Sequence, residues 1–231
     1  MELIKEKTYT TPELMAVLLA ERPGYKPSSL YNRIAELEKS GAITRVGKSR
    51  YACGRLDVFA YDLQSTLAKR VLRHMKRAFA PDLEYALYET SAVLNPFLNH
   101  LLAHPTVILE VPRDFMEPVF YSLKAAGFRN VLLDPDAKEV ARYADEDAVI
   151  VHRLVSKAPI DAKRKKTTIE KLMVDIVCDD LLRCFFEGAE VPRMLETILE
   201  DYKVRIDRAC NYARRRHALD TLQQFLPKEA K

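Results

Sequence analysis

The spacing of apolar residues at the start of the chain predicts two short helices, because residues three and four apart share one face of a helix. The predicted helices extend from an N-cap at Thr10 or Thr11 to Glu21, and from an N-cap at Ser28 or Ser29 to Gly41. In the second helix the buried stripe consists of Leu30, Ile34 and Leu37. This stripe leaves the opposite, polar face of the helix free for contacts with other molecules.

A short hairpin is predicted over residues 42–52, with its turn at Gly47 and Lys48. A helix with hydrogen-bonding side chains can enter the major groove of DNA, and basic residues on an adjacent hairpin can neutralise phosphates. The candidate base contacts are Ser29, Tyr31, Asn32 and Arg33, and the candidate phosphate contacts are Ser28, Arg45, Lys48 and Arg50. We therefore predict a winged helix-turn-helix DNA-binding domain over residues 1–54. The alternative use of such a module is protein interaction.

Strand-like and helix-like segments alternate in the middle of the chain, and helix-like segments follow toward its end. The predicted strands are residues 85–88, 106–111, 131–133 and 148–154. The predicted helices are residues 61–78, 92–102, 113–126, 191–202 and 206–225, and a further helix is capped by Thr167 or Thr168. The second is interrupted at Asn95 and Pro96. The third directs Phe115, Val119, Phe120 and Leu123 inward. The predicted fold class is thus mixed α/β (α+β), in which the winged helix is followed, over residues 55–231, by an α/β domain with a small sheet and a C-terminal helical segment.

The composition is that of a globular protein and narrows the functional classes only slightly. The chain has 231 residues, of which 48% are hydrophobic and 30% charged, and its formal net charge is +4. This charge is too small to indicate a polybasic tail. No apolar run is long enough to span a membrane, and the first residues lack the apolar core of a signal peptide, so we expect a cytoplasmic protein. The four cysteines show no metal-ligand spacing, and we expect reduced thiols.

Charged residues in the larger domain allow a second hypothesis, a nuclease-like enzyme that processes nucleic acid. Its candidate residues are Glu110, Glu170, Lys171 and Asp175. However, the spacing of two acids and a lysine that holds a nuclease metal ion is absent, and so are a phosphate-binding glycine loop and a Gly-Ser turn with an Asp-x-Asp pair. Lys171 and Asp175 are instead spaced for an ion pair on a helix surface. We expect no catalytic residue, no cofactor and no metal.

Two basic runs offer a further contact surface for nucleic acid or for an acidic partner. Lys163, Arg164, Lys165 and Lys166 lie in a predicted connection, and Arg214 and Arg215 lie on a predicted helix. A solvated loop explains the first run equally well. On the helix, Arg214 and Arg215 point about 100° apart, so that one of them can pair with an internal acid.

The order of these pieces resembles the AbiEi-like antitoxins and transcriptional regulators of bacterial type IV toxin-antitoxin systems. The matching segments are residues 11–14, 30–37, 41–43 and 47–51 in the N-terminal part, and residues 88–91, 155–159, 168–175 and 212–216 in the larger domain. The most distinctive is Thr168-Ile169-Glu170-Lys171-Leu172-Met173-Val174-Asp175. The resemblance implies a repressor that binds double-stranded DNA at its own promoter, with a nucleotidyltransferase toxin encoded beside it as its partner.

These observations together favour a two-domain transcriptional regulator. The winged helix would bind operator DNA, and the larger domain would neutralise a cognate toxin or mediate partner contacts. A protein scaffold without DNA binding is the third hypothesis, in which the basic hairpin contacts an acidic partner. The sequence shows no heptad seam that would define an oligomeric state.

Overall fold

The N-terminal part of the chain folds into two helices against a three-stranded antiparallel sheet. The computed structural model describes residues 8–54, 56–102, 105–144 and 147–226, so residues 1–7 of the predicted first domain lie outside the described residues. The elements are β1 (Thr8–Thr10), α1 (Thr11–Glu21), α2 (Pro27–Ser40), β2 (Ile43–Gly47) and β3 (Arg50–Cys53). The strand order is β1-β3-β2, so that the strand before the helices pairs with the last strand and closes the module.

The helix ends follow from capping chemistry, and one predicted cap is wrong. Thr10 caps α1, and Glu13 completes a capping box with it, as the sequence predicts for Thr10. The N-cap of α2 is Lys26 rather than Ser28 or Ser29, because Pro27 occupies the first helical position, where its missing N–H is not needed. Gly41 ends α2 in the left-handed conformation, with φ 76°.

The predicted stripe of α2 is confirmed as the core of this module. Its side chains pack with residues of α1 and of the sheet, which are Tyr9, Leu14, Leu18, Leu30, Ile34, Leu37, Ile43 and Tyr51. The hairpin turn lies at Lys48 and Ser49, one residue later than predicted, because Gly47 still pairs with Arg50 across a bulge. Ser49 adopts a left-handed conformation, with φ 58°.

The larger part of the chain is built on a four-stranded sheet with the order β4-β5-β7-β6. Its strands are β4 (Ala86–Glu89), β5 (Val107–Val111), β6 (Val131–Leu133) and β7 (Val149–Arg153), each within one residue of its predicted ends. The last three are parallel, whereas β4 runs antiparallel to β5. The mixed α/β class predicted from the sequence is therefore correct.

Helices cover both faces of this sheet. The helices are α3 (Thr66–Ala78), α4 (Thr90–Leu94), α5 (Arg113–Ala125), α6 (Ala137–Tyr143), α7 (Ile169–Cys178), α8 (Val191–Asp201), α9 (Ile206–Arg215) and α10 (Leu219–Phe225). One face, which carries Leu109 and Val151, packs on α3 and α5. The other, which carries Ile108 and Ile150, packs on α4 and on the helices from α6 onward. Alternating side chains of each strand therefore serve two cores.

Four helix predictions need correction. The segment before Thr66 is extended rather than helical, because the Glu89 carboxylate accepts the backbone N–H groups of Gln64 and Ser65 where α3 begins. The helix predicted over residues 92–102 stops at Leu94, at the expected interruption. The last predicted helix divides into α9 and α10 around His217, which is left-handed with φ 53°. In α5 the exposed Phe115 is not inward, and Met116 is buried instead.

Hydrogen bonds among the described residues connect the N-terminal module to the larger part. Asp57 forms a short parallel bridge with the end of α8, accepting from the Lys203 N–H at 2.8 Å and donating to the Asp201 carbonyl at 2.8 Å. The hairpin turn approaches α9, where the backbone N–H of Lys48 donates to the Asp207 carboxylate at 3.3 Å. No helix within the described residues is long and apolar enough to cross a membrane.

Candidate nucleic-acid interface and buried charge cluster

The N-terminal half of α2 presents a polar face away from the module core. Ser28, Tyr31 and Asn32 are exposed, and Tyr31 has 61% of its surface accessible, while Ser29 is half-buried. Within the described residues, none of these four side chains makes a hydrogen bond or an ion pair. Polar and aromatic groups without partners are available to an external ligand.

Arg33, the fourth candidate base contact, already has a partner in the free protein. Its guanidinium donates to the Glu36 carboxylate at 2.9 Å, and both side chains are exposed. This hydrogen bond raises the pKa of Arg33. Arg33 would therefore have to exchange Glu36 for a base, which an exposed ion pair permits at little cost.

The hairpin places its basic residues in three different environments. Arg45 is exposed, and its Nε donates to the Gly47 carbonyl at 3.3 Å. The Lys48 side chain is exposed, although its backbone N–H is held by Asp207. Arg50 is half-buried. Lys48 and Arg45 thus remain accessible as phosphate contacts, and Arg50 is the least accessible of the three.

The basic run at residues 163–166 forms the end of a small hairpin made of β8 (Ile160–Asp161) and β9 (Lys166–Thr167), and it divides into two halves. Lys165 donates to the carbonyls of Pro81 and Leu83, at 3.2 and 2.8 Å. Lys166 donates to the Tyr61 carbonyl and to Asp62. Only Lys163 and Arg164 point outward, and Arg164 lies 3.6 Å from Asp161. The second half of the run holds the hairpin to neighbouring segments, so it is not a free basic surface.

Arg214 and Arg215 are both exposed on α9 and border an open pocket. Neither pairs with an internal acid among the described residues. The arginine that does so is Arg216, the third of the run. Its guanidinium donates to Asp175 at 3.0 Å and to Asp179 at 2.9 Å. The pairing predicted for this helix exists, but one position further along.

A buried charge cluster lies at the carboxyl ends of the three parallel strands. Glu110 in β5 and His152 in β7 are register neighbours on the same face of the sheet, and Asp134 follows β6 directly. In open α/β sheets this edge is the usual place for ligand sites. The helices α7 and α9 cover it and contribute the remaining charges.

Lys171 in α7 is the centre of the cluster. Its ammonium group lies 2.6 Å from Glu110 and 2.5 Å from Asp175, and all three side chains are at most 4% exposed. Burial opposes the charge of Lys171, but the carboxylates of Asp175 and Glu110 outweigh it and hold its pKa well above the usual range. Burial also raises the pKa of Asp175 to about 6, which still leaves this carboxylate ionised at neutral pH.

His152 joins the cluster to the surface. Its Nδ1 lies 2.7 Å from Asp134 and its Nε2 3.4 Å from Asp179, which also binds Arg216. Burial alone would lower the pKa of His152, but hydrogen bonds to the two carboxylates raise it to about 10. The imidazole is therefore a cation at neutral pH, donating from both nitrogens.

Three of the four candidate enzyme residues thus meet, and the fourth does not. Lys171 pairs with both Glu110 and Asp175, whereas Glu170 accepts the backbone N–H of Arg205 at 3.2 Å. The pairing of Lys171 with Asp175 is confirmed, but its predicted position on a helix surface is wrong. Within the described residues, no group of three or more His, Cys, Asp and Glu side chains is arranged to hold a metal ion.

Sequence reasoning missed most of this cluster. His152 lies in β7, and Asp134, Asp179 and Arg216 directly follow β6, α7 and α9, so no local spacing connects these four residues with one another. One signal was available in α7 and its C-cap, where residues 171, 175 and 179 recur every four positions and therefore share one side of the helix. Apolar residues such as Leu172, Met173 and Ile176 occupy the other sides, and a helix that is apolar on its remaining sides is buried, which indicates internal pairing of its charges.

Comparison with known proteins gives one finding that bears on this chain. Residues 29–231 match the model of a protein family described as a family of unknown function (DUF6577), and the chain belongs to this family. No curated protein matches the sequence. The matched span begins within α2 and continues through the hairpin to the C-terminal helices, so these parts occur together in the family.

Proposed function

We propose that the protein is a sequence-specific DNA-binding transcriptional regulator whose N-terminal module is a winged helix-turn-helix. The observation that carries this proposal is the exposed face of α2, where Ser28, Tyr31 and Asn32 have no partner within the described residues. In helix-turn-helix proteins the second helix lies in the major groove, and residues near its N-terminus contact the base edges. These three residues occupy the first two turns of α2.

The hairpin supports the same proposal from the side of α2. Arg45 and Lys48 are exposed there, and cationic side chains beside a recognition helix neutralise phosphates without reading sequence. The face of α2 would therefore recognise bases, and the hairpin would contact phosphates. Asn32 can form a bidentate pair with adenine, while Lys48 supplies affinity that depends on salt.

The test is binding of the full-length protein to a labelled fragment of its own promoter and to a scrambled fragment, over a series of salt concentrations. We expect promoter binding at least about tenfold tighter than binding to the scrambled fragment. Asn32→Ala should weaken promoter binding by about 1–3 kcal/mol and leave the scrambled fragment nearly unaffected. Lys48→Ala should weaken both and reduce the salt slope by about one.

Lys39→Ala is the matched control, because Lys39 is an exposed residue in the last turn of the same helix. It should leave promoter selectivity unchanged. Equal and weak binding of the unmodified protein to both fragments would contradict the proposal and would favour a protein-contact role for the module. Equal losses from Asn32→Ala on both fragments would remove its role in base recognition.

We further propose that this regulator is an autoregulating antitoxin with a nucleotidyltransferase toxin as its partner. The support is the resemblance to AbiEi-like antitoxins, together with the way its segments in the larger part contact one another. Tyr88 binds Glu110 beside Lys171, and Tyr212 binds Asp175. The matching segments at residues 88–91, 168–175 and 212–216 therefore meet in one structural unit, as expected if the larger part shares the fold of these antitoxins.

Coexpression with a nucleotidyltransferase encoded beside the gene tests the antitoxin role. The toxin alone should arrest growth, and the full-length protein should restore it. Asn32→Ala should still restore growth, because the larger domain would act on the toxin independently of DNA recognition. Absence of a neighbouring nucleotidyltransferase gene, or growth arrest that persists with the protein present, would remove the antitoxin role and leave the DNA-binding proposal intact.

A further inference from the structure

An open pocket of about 580 Å³ lies between α9 and the loop at residues 157–159. Its volume falls in the range of small-molecule sites, about 300–1,000 Å³. Four cationic side chains line it, which are Lys157, Arg208, Arg214 and Arg215. None of the described residues that line it is acidic.

The acidic side chains of the described residues do not neutralise these four cations. Within the described part of the chain, none of them forms an ion pair with an acidic side chain. The nearest acid in sequence, Asp207, directs its carboxylate to the backbone N–H of Lys48 in the hairpin turn. Four like charges around one cavity repel each other, and a bound anion relieves that repulsion.

The pocket is held in place by its surroundings. Arg208, Asn211 and Arg215 follow each other at three- and four-residue spacing and therefore share the outer face of α9. Tyr212, four residues after Arg208, lies beside this face, and its hydroxyl donates to the buried Asp175 at 3.0 Å, which fixes the helix. Arg214 donates to the Asn211 side chain at 2.7 Å, which orients its guanidinium.

The loop on the other side of the pocket is equally constrained. Lys157 adopts a left-handed backbone conformation, with φ 58°. Two hydrogen bonds fix the position of the loop. The Ala158 N–H donates to the Val155 carbonyl at 3.0 Å, and the Thr168 hydroxyl donates to the Pro159 carbonyl. A left-handed conformation at a residue other than glycine is uncommon and costs free energy, so surrounding contacts must maintain it.

We propose that this pocket binds a small molecule that carries two or more linked phosphate groups. Arginine favours phosphate because its planar guanidinium can donate two parallel hydrogen bonds to it. The one aromatic residue among those that line the pocket is Tyr212, which is 2% exposed and whose hydroxyl is already bound to Asp175. Recognition therefore rests on the phosphates rather than on stacking of a base. The inference does not depend on the proposed DNA-binding role of α2.

The test is calorimetric titration of the full-length protein with sodium tripolyphosphate, and separately with inorganic phosphate, at low salt. We expect one saturable site that binds tripolyphosphate at least about tenfold tighter than phosphate, since several cations act on one ligand. Arg215→Gln and Lys157→Gln should each weaken tripolyphosphate binding about tenfold. Arg193→Gln, which replaces an exposed arginine on α8 outside the pocket, should leave it unchanged.

Each variant is first compared with the unmodified protein by thermal unfolding, so that lost binding is not mistaken for lost folding. Absence of saturable tripolyphosphate binding by the folded protein would overturn the proposal, as would equal losses in the pocket variants and in Arg193→Gln. A promoter duplex serves as a second ligand. If Arg215→Gln weakens duplex binding while tripolyphosphate neither binds nor competes, the arginines contact the nucleic-acid backbone, and the small-molecule site is rejected.

Discussion

Individual charges in the buried cluster are stable only because each has an opposite partner at close range. Lys171 contacts Glu110 and Asp175, and Arg216 bridges Asp175 and Asp179. Removing one member of such a buried pair typically destabilises a protein by about 3–5 kcal/mol, because the remaining charge stays desolvated. Loss of either partner would therefore weaken the packing of α7 and α9 over the sheet edge.

His152 makes the stability of the fold depend on pH. Its pKa is about 10 in the folded protein and near 6.5 when unfolded, so only the folded state keeps the proton between these values. Because the folded state then binds more protons, the free energy of unfolding falls as the pH rises above about 6.5. The contribution of His152 is fully present below this pH and is lost as the pH approaches 10.

We therefore expect His152→Gln to flatten the pH dependence of stability. Urea unfolding between about pH 6.5 and pH 9 should show a steeper loss in the unmodified protein, by at most about 1.4 kcal/mol per pH unit for one proton. His100→Gln is the control, since His100 is an exposed histidine 3.7 Å from Glu190. Curves with the same slope for the unmodified protein and His152→Gln would show that His152 does not hold its proton in the folded state.

At the scale of elements, the sequence predicts well where apolar periodicity is regular. The four strands of the main sheet and the stripe of α2 follow directly from their spacing, and Thr168, one of the two caps predicted for α7, is its N-cap. In each of these elements the apolar residues of the local pattern are buried or half-buried. Local pattern and tertiary packing agree there, so prediction needs no knowledge of distant contacts.

The wrong predictions concern helix ends that depend on groups far away in the sequence. Tyr61 continues an apparent helical pattern, yet its hydroxyl bonds to Leu87 and Thr167 and holds the chain extended. The break at His217 carries no glycine or proline that would mark it. One missed element was readable, because Asp136 and Glu139 form a capping box at the start of α6.

The exposed face of α2 could be predicted, whereas most of the buried cluster could not. The face of α2 follows from one helix and one stripe, so that Ser28, Tyr31 and Asn32 are exposed where the periodicity places them. The cluster depends on the parallel register of β5 with β7 and on the covering helices. The basic run at residues 163–166 is a second example. The sequence does not show that Lys165 and Lys166 are bound to neighbouring segments, because this depends on tertiary contacts.

At the scale of the whole molecule, the hairpin, α9 and the basic pocket are neighbours. Asp207 holds the turn of the hairpin through the backbone N–H of Lys48, and Arg208, the next residue, lines the pocket. The same helix is attached to the buried cluster through Tyr212 and through Arg216, which directly follows α9. One helix therefore connects the proposed DNA-binding surface to the larger domain, and the matched family span includes all three parts.

This arrangement predicts that Asp207 limits DNA affinity, if the hairpin contacts phosphates as proposed. Its exposed carboxylate lies beside the hairpin turn, where it repels an approaching phosphate, yet it also positions the turn. Asp207→Asn keeps a hydrogen-bond acceptor for the Lys48 N–H and removes the charge, so promoter binding at low salt should tighten roughly two- to threefold, with a smaller gain at high salt. Asp207→Ala loses the acceptor as well and should bind less tightly than Asp207→Asn.

Fluorescence anisotropy with a labelled promoter fragment measures the affinity of both variants. The control is Asp220→Asn, which replaces an exposed acid on α10. Weaker binding by Asp207→Asn than by the unmodified protein would contradict repulsion by this carboxylate and would mean that the charge itself is needed to hold the turn.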